Sequence, residues 1–408
     1  MKKFTILFCI LVFLYFHTSA QGFKIDLMGE KQAAMGHTGS GYVFDASTIY
    51  FNPGGLSFLK SSNVTAGASV LIPSTEFVEN GTNTAYYTQP QIFTPFSVYA
   101  NFRINSRFAA GIGTYTPYGS GLTWPDNWSG RFILHKIQLQ TFYIQPTISY
   151  KITDHIGIGI GAIYALGNVQ LSKDIPVRNQ QSNYPRGTLT GSGIGFGYSA
   201  GLFVKPNRSF SFGLAYHSSI KLQVNNGNAN FTGVPLSLQT EIQNTTFNTS
   251  IPLPGDLSLG VGFKINPRWL VTIDADEVFW QVYDTLAFEY KNQTTLLQNT
   301  RTPKNYMNSP GFRAGLQFSP DSIIDIRAGA FFENTPVQKG YLAPDFPDNN
   351  RFGLTAGIGI HATRKLDIDI SFLFLDVLNR KDSDNADNFS GTYKSLIFAP
   401  GAGISYSF

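Results

Sequence analysis

The 408-residue sequence predicts an all-β fold, a fourteen-stranded antiparallel barrel of the outer-membrane type. Three observations lead there: long runs of strict two-residue alternation, short polar turns alternating with long polar loops, and a composition poor in charge. Charged residues make up 14% of the chain, against roughly 25% in ordinary globular proteins. Aromatics reach 14%, with 35 Phe, 20 Tyr and 40 Gly. Mean hydropathy is nonetheless −0.06, so apolar and polar residues must be interleaved rather than segregated. The formal net charge is +4, with no basic tail or stripe, which excludes a nucleic-acid partner.

Residues 1–20 read as a signal peptide. Lys2 and Lys3 form its positive end, Phe4–Phe16 its apolar core, and Thr18-Ser19-Ala20 a small-residue cleavage site that makes Gln21 the expected mature start. Cys9 lies inside that segment, so the mature chain is expected to contain neither disulfide nor cysteine-based metal site. Residues 21–60 are apolar around the turn-forming Asn52-Pro53-Gly54-Gly55, and strand-like alternation begins only after Ser61.

From there, one face of Thr141–Ile152 carries Phe142, Ile144, Pro146, Ile148, Tyr150 and Ile152. In Leu366–Phe374 the apolar face is Leu366, Ile368, Ile370, Phe372 and Phe374. Such period-two stripes are strands, and their length suits the roughly 9–11 tilted residues that cross a bilayer. Short breaks at Asn105, Thr153-Asp154, Pro206-Asn207, Asn266-Pro267, Pro320-Asp321 and Thr363-Arg364 are read as six tight turns. Longer polar stretches near 79–90, 118–137, 173–190, 225–252, 286–305, 336–350 and 381–394 are read as seven loops, giving fourteen strands. An even number of strands with alternating short and long connections is the outer-membrane plan, with both termini at the periplasmic end. Only a closed sheet can pair every backbone group of such strands in hydrocarbon. The alternating aromatic end Ile404, Tyr406, Phe408 agrees, and Phe408 is expected to engage the barrel-assembly machinery.

Some motifs look chemical. Ile156–Gly161 and Gly191–Gly197 mimic a dinucleotide fingerprint but lack the helix that such a site needs. Gly157, Gly159 and Gly161 share one face instead, a thinned inner wall with room for something inside. Asp274 and Asp276 share a face and read either as lumen-lining acids or as a paired-carboxylate or cation site. No histidine spacing suits a metal and no nucleophile motif is present, so neither cofactor nor metal is expected and no catalytic residue is assigned.

Four segments resemble the FadL family of outer-membrane transporters for long-chain fatty acids and other hydrophobic compounds. They are Gly22-Phe23 through Asn52-Pro53; Tyr115–Arg131, similar to the family's Pro-Trp…Trp-x-Gly-Arg outer loop; Leu253-Pro254 through Trp280; and Gly340–Gly359, similar to its Pro-Asp…Asp-x-x-Arg loop. At Gly54 the family usually has Ala. The resemblance implies a barrel spanning 61–408, blocked by an N-terminal hatch at 21–60. Its ligand would be caught among outer loops, held in an inner pocket and released sideways at a kinked third strand, read here as Arg107–Tyr118 with Gly111, Gly113 and Pro117 as the distorting residues. It also implies that the Phe23 ring enters the pocket; Asn52-Pro53 reads as a rigid turn at the end of the hatch, and Asn52, Pro53, Gly54 and Gly55 as its gating residues.

An apolar solute needs an apolar path with one or two polar anchors. Trp124 and Trp128, with Tyr115, Tyr118 and Phe132, are candidates for the catching surface; Tyr115 and Tyr118 read equally as an interfacial belt. Lys304, Arg131 and Arg351 are candidate partners for a carboxylate head group, Lys304 first, and each also reads as an ordinary loop charge. The expected partners are a hydrophobic small molecule and membrane lipid, with the chain a monomer. A general porin and an outer-membrane lipid-modifying enzyme remain as rival readings.

Overall fold

A computed structural model describes residues 22–179 and 183–408. The predicted signal segment and Gln21 lie outside the described residues.

Six short turns organise the chain, and each rests on one side chain. Asn105, Asn207, Asn266 and Asp321 each accept two backbone N–H groups through Oδ1, from residues two and three positions on. Thr153 and Thr363 do the same through Oγ1, at 3.0–3.1 Å. Each turn thereby satisfies donors that the departing strand can no longer pair.

Between these turns run fourteen spans. The first is Asn63–Ser69 continued by Ile72–Glu79, the second Ala85–Tyr87 with Phe96–Arg103, and the third Phe108–Tyr115 with Gly119–Thr123. Lys136–Thr153, Ile156–Asp174 and Arg186–Val204 are the fourth to sixth. The seventh is Phe210–His217 with Ile220–Thr232, and the eighth Thr245–Leu253 with Asp256–Asn266. The ninth is Trp269–Val278 with Thr285–Tyr290, and the tenth Thr300–Pro303 with Ser309–Phe318. Ile324–Glu333, Arg351–His361, Leu366–Asp384 and Phe389–Ser407 complete the set. Every span pairs antiparallel with its chain neighbours, and the first pairs with the fourteenth from Asn63↔Ser407 to Glu79↔Gly391, which closes the barrel. No helix among the described residues is long and apolar enough to cross a membrane; the chain crosses with strands.

Several boundaries differ from the sequence reading. Several predicted loops begin later and end sooner, as where Ile220–Thr232 and Thr245–Leu253 extend into the expected 225–252 loop from either side. Ladder hydrogen bonds do not stop where lipid stops, and beyond the bilayer both faces are wet, so alternation fades while the hairpin continues. The third strand likewise runs on to Thr123 after a break at 116–118.

The predicted face assignment holds. Ile158, Ile160, Ile370 and Phe372 are exposed on the outer surface, while Asp369 and Ser371 are buried on the inner one. The lumen is filled by residues 22–59, which turn helically at Glu30–Ala33, Thr48–Phe51 and Pro53–Phe58. The glycine face of the fifth strand explains itself here. A methyl at Gly159 would lie 2.3 Å from the Pro53 carbonyl oxygen, and one at Gly201 2.2 Å from Asn52 Oδ1. At Gly159 backbone rests on backbone, which only glycine permits, and at Gly201 the Asn52 amide fills the same space. Asn52 fixes the turn by accepting from Gly54 N–H (3.0 Å) and donating to the carbonyls of Ser40 and Leu202 (2.9 and 3.0 Å). Where the family has Ala, a methyl at Gly54 would fall 2.6 Å from the Gly201 carbonyl oxygen.

Charges bind the same segment to the wall. Arg313 joins Asp26 of the segment to Asp276 and Glu333 of the strands. Lys31 reaches Asp45, Asp367 and Asp369. Asp274 accepts N–H bonds from Gly39 and Ser40 at 2.8 and 2.9 Å. Asp274 and Asp276 thus face the lumen as read, but hold protein rather than water.

Candidate functional site

The site starts from a missing donor. Pro117 has no N–H, and the ladder between the second and third strands runs from Arg103↔Ala109 to Ser97↔Tyr115, the two meeting again where Gln89 N–H donates to the Thr123 carbonyl (2.8 Å). Past that point Phe96 N–H turns to the Thr116 hydroxyl (3.1 Å). The third strand keeps its other edge on the fourth, from Gly119↔Gln140 to Thr123↔Lys136. Its freed edge is taken by the N-terminal segment: Ile25 N–H donates to the Pro117 carbonyl (2.8 Å) and Gly119 N–H to that of Phe23 (3.1 Å). The second strand leans the other way, bridging Phe93 to Leu71.

Behind this gap lies a cavity of about 430 Å³. Leu71, Phe93, Phe96 and Leu122 line it at the gap, Leu373 and Leu375 at the far wall, and Phe23 and Phe346 at its outer end. Phe93 lies over Gly121 across the gap. The polar lining includes Lys24, Asp26, Asp348 and Arg351. Arg351 holds Asp348 through Nε and Nη2 (3.0 and 2.9 Å) and donates to the Gly22 carbonyl. Burial pushes the Asp348 carboxyl up, and the Arg351 guanidinium works against that rise. Lys24 lies 3.4 Å from Asp256. Burial disfavours its charge, but Asp256, Asp276 and Asp26 outweigh it and hold the ammonium above its ordinary value.

Phe23 sits in an aromatic nest, its ring 4.7 Å from Trp280, 5.6 Å from Tyr283, 5.7 Å from Phe346 and 6.1 Å from Tyr118. A smaller cavity of about 40 Å³ adjoins on the loop side, and Phe23, Phe346, Leu139 and Ser120 border both. Phe23 and these neighbours thus lie between the two chambers.

The other predicted residues fall elsewhere. Trp124 and Trp128 stack at 4.4 Å and are fully buried against Phe77, Phe389 and Tyr393, lining neither cavity. Arg131 lies over the Phe132 and Tyr184 rings at 4.7 and 5.1 Å, away from both. Lys304 is buried but pairs with Asp345 at 2.6 Å, beside the smaller cavity rather than the larger. Gly111 and Gly113 lie in the regular ladder, where they admit Ile49 and Tyr99; the break itself is at Pro117. Tyr115 and Tyr118 are buried, not interfacial. Leu71, Phe93, Phe346 and Asp348 were not singled out. Asp348 was within reach, being the acid of the Asp-x-x-Arg pattern that ends in Arg351.

A family model described as outer membrane protein transport protein (OMPP1/FadL/TodX) matches residues 11–408. A long-chain fatty acid transport protein of Escherichia coli O6:H1 is 20% identical, the match covering 95% of this chain and 94% of the relative. A 47 kDa outer membrane protein of Pasteurella multocida is 22% identical, with 96% and 95% covered. Among solved structures, a Pseudomonas aeruginosa FadL homologue superposes with a TM-score of 0.83 at 19% identity, covering 95% of this chain and all of that one. The Pseudomonas putida toluene transporter TodX gives 0.74 at 14% identity, covering 96% and 99%.

Proposed function

The chain belongs to the outer membrane protein transport family (OMPP1/FadL/TodX), and from that premise we propose that it takes up long-chain fatty acids by diffusion through a blocked barrel with a lateral exit. Its coarser identity, an outer-membrane transporter of hydrophobic compounds and not an enzyme, follows from the family itself. Residues 22–59 act as the hatch, with the Asn52–Gly55 turn as its fixed point.

One observation carries this reading: the ladder between the second and third strands opens at Pro117, directly beside an apolar cavity inside the wall. A porin needs a continuous aqueous path and gains nothing from such a chamber. An acyl chain entering from the loops would press on Phe23, pass from the smaller chamber to the larger, and leave between Phe93 and Gly121 into lipid. Arg351 is the head-group anchor, since charge-assisted bonds orient a carboxylate as well as attract it.

A second reading has specific support. Both cations at the cavity, Lys24 and Arg351, are already paired with carboxylates. A neutral aromatic compound, such as the toluene named for the P. putida relative, would not have to compete for them. Binding assays on the purified protein in detergent separate the two. Saturable binding of palmitate that weakens at least tenfold in Arg351→Met supports the fatty-acid reading. Toluene binding that ignores the substitution favours the aromatic one, and large ion conductance without binding of either sinks both.

A further inference from the structure

The inner wall carries two kinds of charge at its short-turn end. On the strands from the eleventh to the thirteenth, Asp325, Arg327, His361, Asp367 and Asp369 are tied to one another or to Lys31. The even strands opposite differ. The buried, lumen-facing row of the second strand (Ser97, Tyr99, Asn101) continues to Arg103, and that of the fourth (Gln145, Thr147, Ser149) to Lys151. The sixth strand's row through Ser199 and Phe203 leads to Lys205, and the eighth's from Asp256 and Ser258 to Lys264. Lys60 joins them where the N-terminal segment leaves the lumen.

Among the described residues none of these five cations makes an ion pair within 4.0 Å, whereas other described residues form nineteen. The Arg103 guanidinium donates to the carbonyls of Asn105 and Lys60. Lys151 lies 4.8 Å from the centre of the Phe58 ring. Partial burial lowers the Lys205 ammonium's proton affinity, and Lys60, Lys264 and Lys151 lower it further, with no carboxylate acting against them. Asp154, on the neighbouring turn, is exposed and pairs with none of them. Four like charges close enough to repel one another cost free energy unless something of opposite sign completes them.

We propose that this crescent, Lys60, Arg103, Lys151, Lys205 and Lys264 around Phe58, docks a soluble periplasmic protein through a carboxylate-rich surface. Short turns of such barrels face the periplasm, so the crescent is open to that compartment. Lipid head groups surround the outside of the wall, whereas these side chains continue its inner row; the geometry therefore favours a protein entering from below over the bilayer. Complementary charge of this kind acts mainly on encounter and register, so the contact is salt-sensitive.

The test uses the full-length barrel in neutral detergent and a fluorescein-labelled deca-glutamate peptide, read by anisotropy. Saturable binding is expected, about tenfold weaker at 0.3 M than at 0.05 M salt. It should weaken at least tenfold in the combined Lys60→Gln, Lys151→Gln, Lys205→Gln, Lys264→Gln variant. Replacing the outer-end Lys221, Lys291, Lys339 and Lys394 by Gln should leave it unchanged. Heat-modifiable gel migration verifies that both variants remain folded barrels. Equal peptide binding by native chain and crescent variant overturns the proposal. So does a crescent effect seen only as lost preference for phosphatidylglycerol over phosphatidylcholine nanodiscs, which assigns the cations to lipid.

Discussion

Replacing Asn52 by Ala should loosen the N-terminal segment while leaving the barrel intact. The side chain makes three hydrogen bonds of 2.9–3.0 Å, one within its own turn, one to Ser40 and one to the wall at Leu202. All three lie at the dry contact where Gly159 and Gly201 meet the turn. A hydrogen bond contributes about 1 kcal/mol net, and buried groups left unpaired add to the loss, so the turn should lose about 2–4 kcal/mol. The rest of the segment keeps its anchors at Arg313, through Asp26, and at Lys31. The change therefore appears as local opening, with roughly 30- to 1,000-fold faster amide exchange confined to residues 36–59. Hydrogen-exchange mass spectrometry on the detergent-solubilised protein measures it directly, with peptides of the fourth to sixth strands as the internal reference. Unchanged protection of 36–59 would refute the view that Asn52 holds the turn. Loss of protection throughout the strands would refute the view that segment and wall are separable.

Further expectations concern the chambers and the buried charges. Phe23→Ala removes a ring that lies between the two cavities, so bound palmitate should exchange faster and bind at least tenfold more weakly, by stopped-flow displacement of a fluorescent fatty acid. Lys304→Met should change palmitate affinity less than threefold, because Lys304 is held by Asp345 outside the larger cavity; a loss matching that of Arg351→Met would relocate the head-group site. Burial raises the Glu30 carboxyl to about 7, against hydrogen bonds from Ser371 and Ser69 that favour its charged form; Asp369 adds to the rise. The docked segment then binds more protons than the released one, so its docking should weaken between pH 4.5 and 7 and level off above. Exchange of residues 22–40, corrected for intrinsic rate, should rise over that range in the native chain and stay flat in Glu30→Gln. Trp128→Ala empties the aromatic stack beneath the outer loops and should lower thermal stability by about 3–5 kcal/mol.

The barrel's plan was legible because each turn needs a local acceptor. Asn105, Thr153, Asn207, Asn266, Asp321 and Thr363 all stand where the polar breaks were read, and each closes its own hairpin without help from elsewhere in the chain. The fifth strand's glycine face was legible as a space, although only the structure shows Pro53 filling it. The site was legible in part. Arg351 and Phe23 emerged through motifs and do meet at the cavity, through the Gly22 carbonyl. Trp124 and Trp128 did not behave as read, since an aromatic in a loop looks the same whether it faces water or another loop. Phe77 and Phe389, from opposite ends of the chain, decide it. The gap at Pro117 was foreseen as a distortion, but its closure by Phe23 and Ile25 is a long-range pairing that leaves no local pattern.

The bare contact between the Asn52-Pro53-Gly54 turn and the glycines of the fifth and sixth strands has a genetic corollary. Where two side chains meet, enlarging one can be relieved by trimming the other, and second-site suppressors arise. At Gly159 neither surface has an atom to surrender, because a methyl there would meet the carbonyl of Pro53 and the nitrogen of Gly54, backbone alone. A selection for restored uptake after Gly159→Ala should therefore yield true revertants, or changes that free the whole segment, and no compensating substitution within the contact itself.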